Sequence, residues 1–165
     1  MKQKGYIFIA LVSCFTAIYI SLLQTPEILR TGTIRFEHMN GEKEEFSIKV
    51  QTTLPPHTTI FFTDTEWNGS HLGIDEHTMI WNTGPKSINK GTLIFFERIA
   101  TTTKATIGET KGFLKLSSTE EAIFAYQGTE RMPIQFLAGI ALDISDYGTL
   151  TNTGLIKDST ALIVP

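Results

Sequence analysis

From Thr33 onward the chain runs in short apolar or alternating stretches separated by turn residues, and no helical period persists through any of them. That pattern belongs to an all-β domain. It predicts strands at 33–38, 45–52, 59–63, 78–82, 92–98, 113–116, 122–126, 134–142 and 161–164. Asn40-Gly41 lies between the first two stretches, where positive φ angles would close a tight hairpin. Further breaks fall at Pro55-Pro56, Asn68-Gly69, Gly84-Pro85, Lys111-Gly112, Gly128 to Pro133 and Tyr147-Gly148. In the middle of the chain, Ile60-Phe61-Phe62 and Leu93-Ile94-Phe95-Phe96 are apolar at successive positions, so both faces of those strands should be covered. A single β-sandwich, with strands buried by a second sheet and by loops, meets that requirement.

One stretch departs from this pattern. Residues 5–23, GYIFIALVSCFTAIYISLL, carry no charge, follow Lys2 and Lys4, and meet their first acid at Glu27. Ten strongly apolar side chains at about −0.3 to −0.6 kcal/mol each favour insertion into a bilayer by about 3 to 6 kcal/mol. As a helix the run would be about 28 Å long, close to the ~30 Å hydrocarbon core. Three fates are open. It is long enough to remain as an anchor; a signal peptidase cut after Ser21 would place the bulky Tyr19 at −3; and Leu11-Val12-Ser13-Cys14 resembles a lipoprotein box that would lipidate Cys14, although apolar residues continue beyond it. Lysines before the run and none directly after it orient the N-terminus to the cytoplasm. The expected organisation is therefore a signal peptide or anchor at 1–24, a linker at 25–32 and the sandwich at 33–165, placed on the extracytoplasmic face of an envelope or secreted.

Composition narrows the chemistry. About 140 residues follow the leader, enough for one domain with a core of its own. Cys14 is the only cysteine, so the exported part has no disulfide, thiol nucleophile or cysteine-bound zinc. Setting aside Lys2 and Lys4 leaves 12 basic residues against 17 acidic ones, a net charge of −5. With no basic run to neutralise phosphates, nucleic acid is not an expected partner.

An echo runs through the chain at an offset of 34 and again at 68: Leu54 to Phe62, Ile88 to Phe96 and Ile156 to Val164 each place an apolar residue, a polar turn, a Thr and then a strand. Residues 122–130 lack the unit, which argues for recurrent turn chemistry and against a solenoid. Ser118-Thr-Glu-Glu121 fits a capping box. A short helical turn is expected there, leading into a strand, because Ile123, Phe124 and Tyr126 favour strands and Gly128 would stop a helix.

Phe62-Thr63-Asp64 with Trp67, then Glu76 and Trp81, Lys90-Gly91-Thr92-Leu93-Ile94, Leu116-Ser117 and Ile123-Phe124-Ala125-Tyr126-Gln127-Gly128 form an ordered series over residues 34–165. The series resembles a secreted bacterial β domain of uncharacterised surface proteins with FTD..W, P.GT.I and IFAYQG elements, and more remotely a lamin-tail sandwich. The departures are Thr65, His57, His77 and Glu120-Glu121, where that pattern usually has Asn, Gly, Gly and Gly-Asp. The resemblance implies an extracytoplasmic β domain and assigns no catalytic residue.

Loop 63–77 holds the densest set of polar side chains. Asp64, Glu66, Asp75 and Glu76 offer hard oxygens for calcium, although their spacing matches no calcium-loop motif, and solvated turn acids that bond to backbone amides explain them better. His71 and His77 with Glu76 are the residue types of a zinc site but lack the helical i, i+4 spacing. Trp67, Trp81 and Tyr126, with Asn68 and Gln127 adjacent to the first and last, suit an aromatic platform for a sugar ring, in competition with core packing that is strongest for Trp81 in its alternating strand. Nucleophile-elbow and phosphate-loop frames are missing, and Asp143 with Asp146 are the acids nearest to a general acid/base pair. The expected function is thus a non-enzymatic binding or adhesion module for a carbohydrate or protein, attached through residues 5–23 and needing no cofactor. The alternative is a secreted or anchored hydrolase that uses carboxylates or a metal in loop 63–77.

Overall fold

The computed structural model describes residues 27–74 and 76–164. The apolar run 5–23, Cys14 and Asp75 lie outside the described residues. Ten strands follow in order: β1 (Ile34–Asn40), β2 (Glu45–Val50), β3 (Thr59–Thr63), β4 (Thr78–Asn82), β5 (Leu93–Glu97), β6 (Lys104–Ala105), β7 (Glu109–Gly112), β8 (Ala122–Thr129), β9 (Met132–Ala141) and β10 (Ala161–Ile163). They form a four-stranded sheet, β1-β2-β5-β6, and a six-stranded sheet, β10-β9-β8-β3-β4-β7. All pairs are antiparallel except β10 on β9. Among the described residues no helix is long and apolar enough to cross a membrane.

The inward alternation of the strands builds one core between the sheets. Phe36, Phe46, Phe62, Trp81 and Phe96 meet there, with Phe46 and Phe96 stacked at 4.5 Å and Trp81 edge-on to Phe96 at 5.5 Å. Side chains of this size contribute roughly 1.5–3 kcal/mol each when removed from water. The Trp81 indole N–H donates to the Ile107 carbonyl at 2.8 Å, which lets its polar end be buried without loss.

A second cluster occupies the other face of the six-stranded sheet. Ile123 and Ala125 of β8 point to the inter-sheet core, whereas Phe124 and Tyr126 point away, to Phe136, Tyr147, Trp67 and Leu155. Loop side chains therefore form a third layer over that sheet. This accounts for the unbroken apolar run in β3, where Phe61 stacks on Tyr126 at 5.4 Å. The same expectation fails for β5: Leu93 and Phe95 are 42% and 44% exposed, because among the described residues no layer covers the outer face of the smaller sheet.

Other differences are local. Asn40 does not open a two-residue turn; its Oδ1 accepts the Lys43 amide, and Glu44 takes the positive φ of 53°. Gly41 is needed instead because the Ser117 carbonyl presses where a Cβ would stand. The stretch 113–116 is irregular, and the edge strands β6 and β7 precede it. No helical turn forms at 118–121; the capping box lies in a 3₁₀ turn, Ile144–Tyr147, closed by Asp143 and Asp146. Two copies of the echo behave as expected, since buried Leu54 and Ile88 exchange backbone bonds, and the Thr58 and Thr92 hydroxyls donate to carbonyls three residues back. In the third, Ile156 is 64% exposed. Residues 29–32, within the stretch read as a linker, are strapped to the sandwich: Leu29 is buried, its amide donates to Gln127 Oε1 at 2.6 Å, and the Gly32 amide donates to the Leu137 carbonyl at 2.8 Å.

Candidate functional site

Because β3, β8 and β9 alternate in direction as adjacent neighbours, the C-terminal end of β3, the start of β8 and the end of β9 lie at one edge of the sheet. Each is followed or preceded by acids. Asp64, Glu66 and Glu76 come from the loop after β3, Glu120 and Glu121 from the approach to β8, and Asp143 and Asp146 from the turn after β9; together they line a cleft of about 540 Å³. Three segments distant in the sequence thus converge on one concave, electronegative surface.

Several of these acids are held by backbone amides. Asp64 is buried, with Oδ1 accepting from the His77 amide at 2.7 Å and Oδ2 from the Lys115 amide at 2.8 Å. Asp146 accepts the amides of Asp143 and Glu121, at 2.8 and 3.1 Å. Glu121 takes the Ser117 amide on one oxygen at 2.7 Å and the Ala122 amide on the other at 3.0 Å. Burial raises the Glu121 carboxyl to about 7, held back by those two amides, which favour the anion. Partial loss of water, with Asp64 nearby, raises Glu76 as well. The Ser145 hydroxyl and amide hold Asp143 below the usual carboxylate range.

The acids expected as calcium ligands are distributed as follows. Asp64 is committed to amides, Glu66 and Glu76 stand on the cleft wall, and Asp75 is outside the described residues. Among the described residues no three His, Cys, Asp or Glu side chains are placed to share a metal ion. His71 and His77 do not converge: a ring nitrogen of His71 lies 2.8 Å from the Asn68 amide, while His77 stands 3.3 Å from Asp64 and packs on Phe113 at 4.6 Å.

The aromatic residues singled out as a platform are placed differently. Trp67 is 6% exposed, edge-on to Phe136 at 5.1 Å, with its N–H donating to the Thr151 carbonyl. Tyr126 is fully buried, stacked under Phe61, its hydroxyl donating to the Glu130 carbonyl at 2.6 Å. Burial pushes its phenol well above the ordinary range. Neither ring presents a face to a sugar. Asn68 is exposed and organises its own turn, accepting the amides of Ser70 and His71. Gln127 binds the strap through Leu29 and lines a different concavity, about 520 Å³, with Ile28, Pro55, Pro56, Phe61 and Ile134. That apolar groove lies at the start of β3, the end of β8 and the start of β9, opposite the acidic cleft.

Glu120 and Glu121 were not predicted as site residues. The available signal was an acidic pair at the point where the resembling pattern has Gly-Asp, directly before a strand; their meeting with loop 63–77 depends on β8 pairing with β3, which no local pattern encodes. No family model, curated protein or solved structure matches this chain.

Proposed function

We propose that the chain is an extracytoplasmic, non-enzymatic β-sandwich that acts in binding or adhesion, brought to the envelope by residues 5–23, with the carboxylate-lined end as its contact surface. The observation that supports a binding role over a hydrolytic one is the bonding of the cleft acids. Asp64 and Glu121 use both oxygens, and Asp146 its Oδ2, to hold backbone amides of their own and neighbouring loops. Such carboxylates fix a shape. The raised carboxyl of Glu121 is the feature that favours the hydrolase alternative, since general acids are tuned in this way. Both of its oxygens are occupied by its own loop, however, and it is only 8% exposed.

The exposed acids Glu66, Glu76 and Glu120 line the same cleft, and its sign complements positively charged ligands and repels phosphate-bearing ones. Full-length protein in nanodiscs, screened on arrays of basic peptides and of neutral and acidic glycans, tests the reading. Basic ligands should be retained, less so with added salt, and retention should fall with Glu66→Gln and Glu120→Gln together at unchanged melting temperature. Retention indifferent to both substitutions, or turnover of an arrayed ligand, would overturn it.

A further inference from the structure

The apolar groove lies at the end of the sandwich where the chain arrives from residues 5–23. Leu23 is five residues before Ile28, so an extended chain separates them by at most about 18 Å. The strap allows no further slack, because Leu29 is buried and bonded to Gln127, and the Thr31 hydroxyl donates to the Phe136 carbonyl at 2.8 Å. Three of the most exposed large apolar side chains are at this end: Ile28 at 58%, Met132 at 71% and Ile134 at 69%. Met132 and Ile134 flank Pro133 at the base of the β8–β9 turn, and Ile28 and Ile134 line the groove together.

We infer that this end of the domain is seated in the lipid interface, with Ile28, Met132 and Ile134 in contact with the bilayer and the acidic cleft directed away from it. The inference rests on the reading of residues 5–23 as a membrane anchor. Reach selects the occupant: a bilayer that holds Leu23 is within one short tether of Ile28. The groove itself, of small-molecule size, cannot enclose a 19-residue apolar run. On the strap and the β8–β9 turn, which carry these three side chains, the exposed charges balance, Glu27 and Glu130 against Arg30 and Arg131, so the contact is apolar and needs no anionic lipid. The seven carboxylates of the cleft are at the opposite end, and an anionic surface would repel them, which favours the same orientation.

The test uses the full chain with Cys14→Ser in phosphatidylcholine vesicles, labelled with bimane at a single introduced cysteine: Met132→Cys or Ile134→Cys at the groove end, Glu120→Cys at the cleft. Flotation first establishes attachment, and lipid-borne nitroxide and aqueous iodide then quench the label. Several-fold stronger nitroxide quenching at 132 and 134 than at 120, unchanged by salt, is expected. A chain that does not float with the vesicles removes the anchor reading and this inference together. A chain that floats while positions 132 and 134 are quenched only by iodide keeps the anchor and overturns the inference. A label shielded from both quenchers would mean that a second copy covers the face, which overturns it as well.

Discussion

At the residue scale, Asp64 and Gly139 are two positions whose surroundings fix the side chain they can carry. Asp64 was legible as a turn acid, but its partners were not: Lys115 is 51 residues away. Both of its oxygens face N–H donors, so Asp64→Asn would turn an amide NH₂ against one of them. Loss of a buried, charge-assisted bond of this kind costs about 1–3 kcal/mol. Chemical denaturation should report that loss, and an unchanged midpoint would contradict the hydrogen-bonding scheme. Gly139 lies in β9 beneath the Tyr147 ring, where an added Cβ would come within 2.8 Å of Cε1. Tyr147 is fully buried and tied by its hydroxyl to the Leu162 carbonyl, so the ring has little room to withdraw. Gly139→Ala should therefore destabilise by about 1–3 kcal/mol, as overpacking does. Thermal melts of Gly139→Ala beside Gly139→Ala/Tyr147→Phe will show whether relaxing the tyrosine tether recovers part of the loss.

At the element scale, the approach to β8 predicts a pH dependence. An unfolded Glu121 has its ordinary carboxyl value of 4.5 and the folded one about 7. Between those values the native state keeps a proton that the unfolded chain has released, so the contribution of Glu121 to stability is fully present below about 4.5 and is lost as pH rises through 7, levelling off above it. At 1.36 kcal/mol per pH unit the interval from 4.5 to 7 sets a ceiling of about 3.4 kcal/mol, and water reaching the carboxyl lowers the decline to about 2–3 kcal/mol. Glu76 acts in the same direction. Melting temperatures between pH 5 and 8 should fall for the wild type and stay nearly flat for Glu121→Gln, which will also melt lower at pH 5 because its NH₂ opposes a backbone amide. A wild-type profile that rises over this range would refute the assignment.

Strands were legible wherever alternation or an apolar run coincided with β-branched and aromatic residues, as in β1 to β5 and β8 to β10. Lys104-Ala105 and Glu109-Thr-Lys-Gly112 were not, because an edge strand with exposed sides carries no hydrophobic period. Conversely, Phe113 to Leu116 reads as a strand yet only Leu114 is fully buried; Gly112, at φ 84°, turns the chain out of its pairing with β4. The burial of Trp67 was hidden for a related reason: the sequence reveals that Trp67 lies in a loop, but only the three-layer packing makes that loop an inner surface. The acidic cleft was half visible, through loop 63–77, and its remaining acids became neighbours through long-range pairing.

At the scale of the whole molecule, the strap ties the entry of the chain to the six-stranded sheet. A chain beginning at Glu27 should outlast one beginning at Thr33 in denaturant. Burial of Leu29 contributes about 2 kcal/mol and the hydrogen bonds of Leu29, Thr31 and Gly32 about 0.5–1.5 kcal/mol each, so a difference of roughly 3.5–6.5 kcal/mol is expected. Equal midpoints would mean that the strap contributes nothing to the sandwich.

The margins of the two sheets have a consequence for how such molecules coexist. β1 is bulged between Phe36 and His38 and bears Arg35 and Glu37, β6 has two residues, β7 is largely polar and ends in Gly112, and β10 has three residues. Each offers an incoming strand too few regular amides to extend the ladder. Crowded together at high concentration, copies of this domain would collide often and still stay separate, a population of individual units that does not zip into fibres.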